Sequence, residues 1–258
     1  MRILFLAHSF NSLTQRLFVE LREAGHEVSV EFDINDAVTE DAVQLFAPDL
    51  IIAPFLKRAI PASVWRRYTC FIVHPGIIGD RGPSALDWAI LDAECCWGVT
   101  VLEANADMDA GDIWASVEFP MRNASKSSLY RGELTRAAVA AVRLAVARFQ
   151  DRSFRPVPLA EAVCRGRQRP LVRQSDRQIH WRVDPTPTVL RKIRSADGFP
   201  GVKAELAGRE LQVFDARPAS DYSGTPGDLL AVSGPAVAVA TADGAVRIGH
   251  CTDQESAH

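Results

Sequence analysis

Apolar runs and amphipathic stretches alternate along the first half of the chain. Ile3-Leu4-Phe5-Leu6-Ala7 shows no polar alternation, as expected of a strand in the middle of a parallel sheet covered on both faces. Leu13, Leu17, Val19, Leu21 and Ala24 then fall largely on one helical stripe, with Gly25 as its stop. Glu27–Phe32 reads as a second strand and Glu40–Phe46 as a helix ended by Pro48. Leu50-Ile51-Ile52-Ala53 is a third strand, 61–67 a short helix, and Cys70-Phe71-Ile72-Val73 a strand that stops at His74-Pro75-Gly76. Helix is predicted over 83–91 and strands over 98–102 and 114–119, flanking the acidic turn Asp107–Asp112. One long helix, 127–149, follows. This succession predicts an α/β fold with a doubly wound, mainly parallel sheet.

Beyond that helix the pattern changes. Residues 152–158 and the basic run Arg165–Arg173 are bracketed by prolines and read as a linker-like stretch. A helix is expected over 187–195, then short strands near 210–215, 228–232, 236–241 and 246–250 between Gly, Pro and Asp turns. The expected organisation is a first domain over 1–158, a linker over 159–178 and a small β-barrel-like, OB-like domain over 179–258.

Composition narrows the function classes. The 258 residues are 47% apolar and 24% charged, and 29 Lys/Arg against 32 Asp/Glu give a net charge of −3. That balance argues against nucleic acid as the principal partner, which usually needs a basic stripe. The early apolar run is far shorter than the ~20 residues of a membrane span and no small-residue cleavage site follows it, which predicts a cytoplasmic protein without a membrane partner. Five scattered cysteines, without a CxxC pair, indicate buried reduced thiols, with neither a disulfide framework nor a metal site.

Candidate chemistry gathers where strands end, since ligands of such sheets bind beyond the carboxyl ends of the strands. His8, Pro54–Arg58 and His74–Arg81 all fall there. His74 ends a buried strand, a place suited to a reactive imidazole and equally to a structural one. Asp109, 35 residues on, lies in a turn at the same sheet edge. Beside a histidine it would fix the tautomer and raise the basicity of the ring; alone it is a solvated acidic turn. Gly76, Gly79 and Gly82 match neither phosphate-loop spacing, and more simply let the backbone turn around a ligand and bring Arg81 into the site.

The segments Ile72-Val73-His74-Pro75-Gly76, Arg81-Gly82-Pro83-Ser84-Ala85, Gly98-Val99-Thr100 and Met108-Asp109-Ala110-Gly111-Asp112 resemble the 10-formyltetrahydrofolate-dependent formyltransferases. Within that family His8–Leu13, Pro54–Arg58 and Gly79–Ser84 are similar to the amino-terminal half of a hydrogenase maturation factor. A weaker likeness to the carboxyl-terminal domain of the tRNA formyltransferases continues through Ile179-His180-Trp181 and Asp197–Gly201.

The resemblance implies a formyltransferase-type Rossmann-like domain in which His74 and Asp109 manage protons. The family's Asn, two residues before the histidine, is replaced by Ile72, which cannot donate a hydrogen bond to a developing oxyanion. Folate binding is implied for Phe55, Leu56, Lys57, Arg58, Ala104, Asn105 and Ala106. Phe55 could equally be core, and Lys57 and Arg58 merely solvated.

In the hydrogenase-maturation branch the implied acceptor is coenzyme A, and Gln15 and Arg131 are candidates to hold its nucleotide and phosphates, against simple helix-surface roles. Formyl-CoA would then pass to an enoyl-CoA-hydratase-like half, for which these 258 residues leave no room, to yield carbon monoxide for [NiFe]-hydrogenase. Implied partners are therefore that half or other hydrogenase maturation proteins. Two alternatives stay open: formyl transfer to an amine, such as an amino sugar or aminoacyl-tRNA, for which Arg165–Arg173 speaks, and a folate-binding module without catalysis.

Overall fold

The structure is a computed structural model that describes residues 1–198 and 200–252. It divides into two compact units, 1–85 with 96–121 and 130–170, and 86–95 with 122–129 and 171–258. The division differs from the expected one, because residues 159–170 pack within the first unit rather than forming a free linker.

In the first unit, β1 (Arg2–Ala7), β2 (Glu27–Phe32), β3 (Leu50–Phe55) and β4 (Cys70–His74) are parallel, and β5 (Cys96–Glu103) and β6 (Ile113–Pro120) complete the sheet antiparallel to their neighbours, in the order β2-β1-β3-β4-β5-β6. β1 sits between β2 and β3 and buries Ile3 through Ala7, which is why it can be apolar without interruption. Its neighbours in sequence reverse direction in the strand order, so the switch point lies beyond β1 and β3.

Side-chain caps set where α1 and α2 start. α1 (Ser12–Glu23) begins at Asn11, whose Oδ1 accepts from Thr14 N at 3.0 Å, and buries Leu13, Leu17 and Leu21. α2 spans Asp36–Phe46, four residues earlier at its start than predicted, because Asn35 caps it by accepting from Val38 N. α3 is short, Ala62–Trp65.

The helix expected over 127–149 is broken. α5 (Lys126–Leu129) runs into a π turn, Tyr130–Leu134, and then α6 (Thr135–Gln150). Gly132, a poor helix former, lies in the π turn, and the Thr135 hydroxyl donates to the Tyr130 carbonyl at 2.7 Å. α6 buries Ala137, Ala138, Ala141, Val142, Ala145 and Val146, small side chains that allow close approach to a sheet.

In the second unit α4 (Ala85–Leu91, from Leu86 on), α5 and α7 (Thr186–Ala196) accompany β7 (Val202–Leu206), β8 (Arg209–Pro218), β9 (Leu229–Ser233), β10 (Ala236–Ala240) and β11 (Ala245–Thr252). The predicted barrel-like domain is an antiparallel sheet, ordered β7-β8-β11-β10-β9 with β7 and β9 at its ends. β7 was not anticipated, although Val202, Ala204 and Leu206 alternate with Lys203 and Glu205 and are buried. Val189, Leu190, Ile193 and Ala196 of α7 form its core with Val213, Val239, Val246 and Ile248. Phe199 of the Asp197–Gly201 likeness, and 253–258 of the predicted domain, lie outside the described residues. Of the cysteines expected to be buried, Cys70 is, whereas Cys95 and Cys164 are exposed. Among the described residues no helix is long and apolar enough to cross a membrane.

One buried cation anchors the second unit. Arg177 donates to Asp87 of α4 and, at 3.0 Å, to Ser195 Oγ of α7. Burial lowers its pKa, opposed first by Asp87 and then by Asp176. Removing one partner of a buried pair leaves an uncompensated charge. Asp87→Ala should therefore cost about 3 kcal/mol in urea unfolding, at the low end for buried pairs because Ser195 remains.

Candidate functional site

The site is built on the end of β4, where His74 closes the strand and is 3% exposed. Its ring stands between two carboxylates. Nε2 is 2.8 Å from Asp80 Oδ2, and Nδ1 is 3.5 Å from Asp109 Oδ2. The 34 residues between His74 and Asp109 contain α4, then β5, antiparallel to β4 with Thr100 opposite His74, and the start of the turn before β6.

Neighbouring elements brace the backbone around the histidine. Trp97 Nε1 donates to the Pro75 carbonyl and Thr100 Oγ1 to the Gly76 carbonyl, both at 2.8 Å. Asp109 adopts a left-handed backbone (φ 53°) and its Oδ2 accepts from Gly82 N at 3.0 Å. A non-glycine residue held there costs of order 1 kcal/mol and persists where surroundings impose it, often at functional sites. Arg81, expected to enter the site, donates from Nε to the Met108 carbonyl at 3.1 Å and so braces the acidic turn.

Asp80 escaped the sequence reading. It is 2% exposed, and the signal for it was present: a carboxylate six residues after His74, one residue after Gly79, in a loop at the carboxyl edge of the sheet. The basic stretch read as linker covers this loop. Arg165 N and Gly166 N donate to the Ile78 carbonyl, Arg81 N to the Arg167 carbonyl, and Arg169 N to the Arg81 carbonyl. A Cβ at Gly166 would lie 1.9 Å from Asp80 N, and one at Gly76 would lie 2.5 Å from both Asp80 Oδ2 and His74 Nε2.

The other candidate residues divide between the neighbouring strand ends. Leu56, Ile72 and Ala104 pack against one apolar cluster that contains Leu4, Leu6, Ile51 and Ala53. Phe55 is half-buried, with the His8 ring edge-on to it at 6.1 Å. The Ala104 N–H is committed to the Cys70 carbonyl at 2.7 Å, and Asn105 Oδ1 accepts from Asp107 N at 2.9 Å. Ala106 and Lys57 are exposed. Arg58 points elsewhere: Nη2 lies 2.6 Å from Asp36, and Nη1 donates to the Ile34 carbonyl at 2.8 Å and lies 3.8 Å from Asp33. Its charge is thus largely answered at the end of β2.

Gln15 and Arg131 are both exposed, and one hydrogen bond joins the segments that carry them. Asn11 Nδ2, at the start of α1, donates to the Tyr130 hydroxyl at 3.0 Å. Burial raises the Tyr130 pKa, against a smaller opposing effect of Asn11, so the phenol is protonated at neutral pH. Gln15 Nε2 donates to the Phe10 carbonyl at 2.8 Å. Among the described residues no group of three or more His, Cys, Asp or Glu is placed to hold a metal ion.

A mainly parallel sheet with a histidine and aspartate at its carboxyl edge, followed by a separate antiparallel sheet, is an architecture of the formyl transferase type. The chain belongs to the formyl transferase family: residues 33–142 match the family profile "Formyl transferase" and 171–257 match "Formyl transferase, C-terminal domain". It is 58% identical over 250 residues to the hydrogenase maturation factor HoxX of Bradyrhizobium diazoefficiens, an alignment covering 97% of this chain and 44% of that protein. A crystal structure of HypX from Aquifex aeolicus in complex with tetrahydrofolic acid superposes with a TM-score of 0.91 at 48% identity, over 98% of this chain and 44% of that one. The methionyl-tRNA formyltransferase of Anaeromyxobacter dehalogenans is 26% identical over 217 residues, 82% of this chain and 69% of that protein. The chain spans under half the length of the HoxX and HypX proteins it matches.

The packing at Gly76 is directly testable. Gly76→Ala forces the imidazole and the Asp80 carboxylate apart, and overpacking of this kind costs about 1–3 kcal/mol. The variant should show a lower thermal midpoint, and a shifted His74 ring resonance in NMR spectra.

Proposed function

We propose that this chain transfers the formyl group of 10-formyltetrahydrofolate to coenzyme A, as the opening step of carbon monoxide ligand synthesis in [NiFe]-hydrogenase maturation. The observation that carries the reading is the buried histidine held between two carboxylates at the carboxyl edge of the sheet, in a chain so similar to HoxX and to HypX crystallised with tetrahydrofolic acid. Leu56, Ala104 and, from β4 itself, Ile72, all packed against one apolar cluster, offer a wall for the flat face of a pterin.

In this reading the acceptor thiol attacks the formyl carbon. The new C–S bond forms as the C–N10 bond breaks, and the thiol proton passes through His74 to N10, giving tetrahydrofolate and formyl-CoA. Asp109, anchored by Gly82 N–H, stabilises the ring when it carries that proton. Since Ile72 offers no donor, the charge that develops on the formyl oxygen is answered by the protonated ring rather than by a side-chain amide.

Coenzyme A is favoured over tRNA by the fate of the basic run. Arg165 is paired with Glu118, and the backbone of residues 165–169 is bonded along the loop after β4, so one charge of the run is already answered and its course is fixed by the first unit. Gln15 and Arg131 lie on segments fastened by the Asn11–Tyr130 bond, and α1 opens there with no acidic residue in its first turn. A helix start of that kind suits a phosphate group. The cytoplasm, where folate cosubstrates and maturation partners would be met, is the compartment this reading requires.

Tetrahydrofolate release, followed with and without coenzyme A, tests the reading, with formyl-CoA identified by mass. Release should depend on coenzyme A. His74→Ala should lower kcat by about 10²–10⁴, and Asp109→Asn by at least tenfold. Equal release without the thiol, or full activity of His74→Ala, would overturn it.

A further inference from the structure

Asp80 has a position that neither fold stability nor surface chemistry accounts for. Its Oδ2 bonds His74 Nε2 at 2.8 Å, and its side chain is 1% exposed. Its other oxygen, Oδ1, is buried with no hydrogen-bond partner among the described residues. A buried carboxylate with one oxygen unanswered pays a desolvation cost that one hydrogen bond does not return. A carboxylate placed only to stabilise the loop would be expected to satisfy both oxygens.

The backbone nevertheless makes room for it at two points. Gly76 and Gly166 are the positions at which a Cβ would collide with Asp80 or with its bond to His74. The Ile78 carbonyl, inside the same turn, takes N–H groups from Arg165 and Gly166, and Asp80 N itself donates to the Ile77 carbonyl at 2.9 Å. The carboxylate is thus fixed from the strand end, from its own turn and from the covering segment. What it gains from that placement is one ring nitrogen.

An ionised carboxylate can only accept, so its partner Nε2 must carry hydrogen. In a neutral imidazole the other nitrogen is then bare. That nitrogen, Nδ1, is the one that faces Asp109, at the looser distance of 3.5 Å. Resting on the formyl-transfer reading above, we propose that Asp80 is a positioning residue: it holds His74 with hydrogen on Nε2, so that Nδ1 is the nitrogen that takes the acceptor's proton and returns it to N10 of the folate. Asp80 keeps its negative charge throughout and exchanges no proton. Its partner Asp109 sits on the working side of the ring, and Asp80 on the holding side.

The assignment explains why a second acidic residue stands beside His74 in a chain that carries Ile72 rather than an amide. With no side chain at position 72 able to orient the reacting group or the ring by hydrogen bonding, orientation of the ring is supplied from the opposite nitrogen.

Ring ¹⁵N chemical shifts of His74 in the full wild-type chain test the proposal without turnover. Across the range where the ring is neutral, Nε2 should appear protonated and Nδ1 bare. A protonated Nδ1 with bare Nε2, an even mixture of tautomers, or a ring protonated on both nitrogens across the whole pH range, would overturn it. Asp80→Asn then supplies the kinetic arm. The amide is isosteric, and its NH₂ can donate to Nε2 and reverse the tautomer. In the serine-protease triad an equivalent change drops kcat about 10⁴-fold while leaving the geometry intact.

Here a fall in kcat of about 10²–10⁴-fold is expected, with KM for 10-formyltetrahydrofolate within threefold of wild type and hydrogen moved to Nδ1. Wild-type kcat in a folded Asp80→Asn would sink the proposal and leave the formyl-transfer reading standing. A kcat loss matched by a rise in KM, with the tautomer unmoved, would assign Asp80 to loop structure alone. An inactive wild type would remove the formyl-transfer reading, and the ring shifts would still report on Asp80.

Discussion

The interaction on which the site depends is the bond between His74 and Asp80, an imidazole and a carboxylate that are both almost wholly buried. A buried pair of this kind is tolerated only when the surrounding groups hold its geometry closely, since each partner without the other is a costly polar group in a poor solvent. The neighbourhood bears that out. β5 contributes Trp97 and Thr100 to pin the two carbonyls after His74, and the segment 165–169 runs bond by bond along the loop that carries Asp80. The far ring nitrogen then has a defined place relative to Asp109 because the near one has no freedom.

From this follows the role of segments that look like connections. The acidic turn before β6 is tied to the loop after β4 through Gly82 N–H and Arg81 Nε, so His74, Asp80 and Asp109 form one braced unit although they come from two separate stretches of chain. The stretch after α6, linker-like in composition, closes that unit from the outside. Its arginines offer less free charge than their number suggests, since Arg165 is paired with Glu118.

One departure from the usual formyl transferase pattern, the one the family resemblance implies, falls on a strand position. Ile72 lies two residues before His74 on β4 and, like Leu56 and Ala104, packs against the apolar cluster of Leu4, Leu6, Ile51 and Ala53.

Much of the architecture was legible in the order of residues. An uninterrupted apolar run can be stable only as a covered strand, so β1, β3 and β4 announce a parallel sheet; Asn11 and the stripe of Leu13, Leu17 and Leu21 announce α1. Strand ends and a family likeness singled out His74 and Asp109, and the structure sets their side chains 3.5 Å apart. Local pattern misled where it met longer-range forces: it ran 127–149 as one helix across the π turn, and treated 159–170 as a spacer. Tertiary structure alone decided which carboxylates reach the histidine. Asp80 is six residues from His74 and Asp109 thirty-five, yet both face the same ring, because strand pairing and loop closure set distances in space that sequence separation does not encode. It also turned Arg58 away, since a guanidinium seeks the nearest uncompensated carboxylates, and those stand at the end of β2.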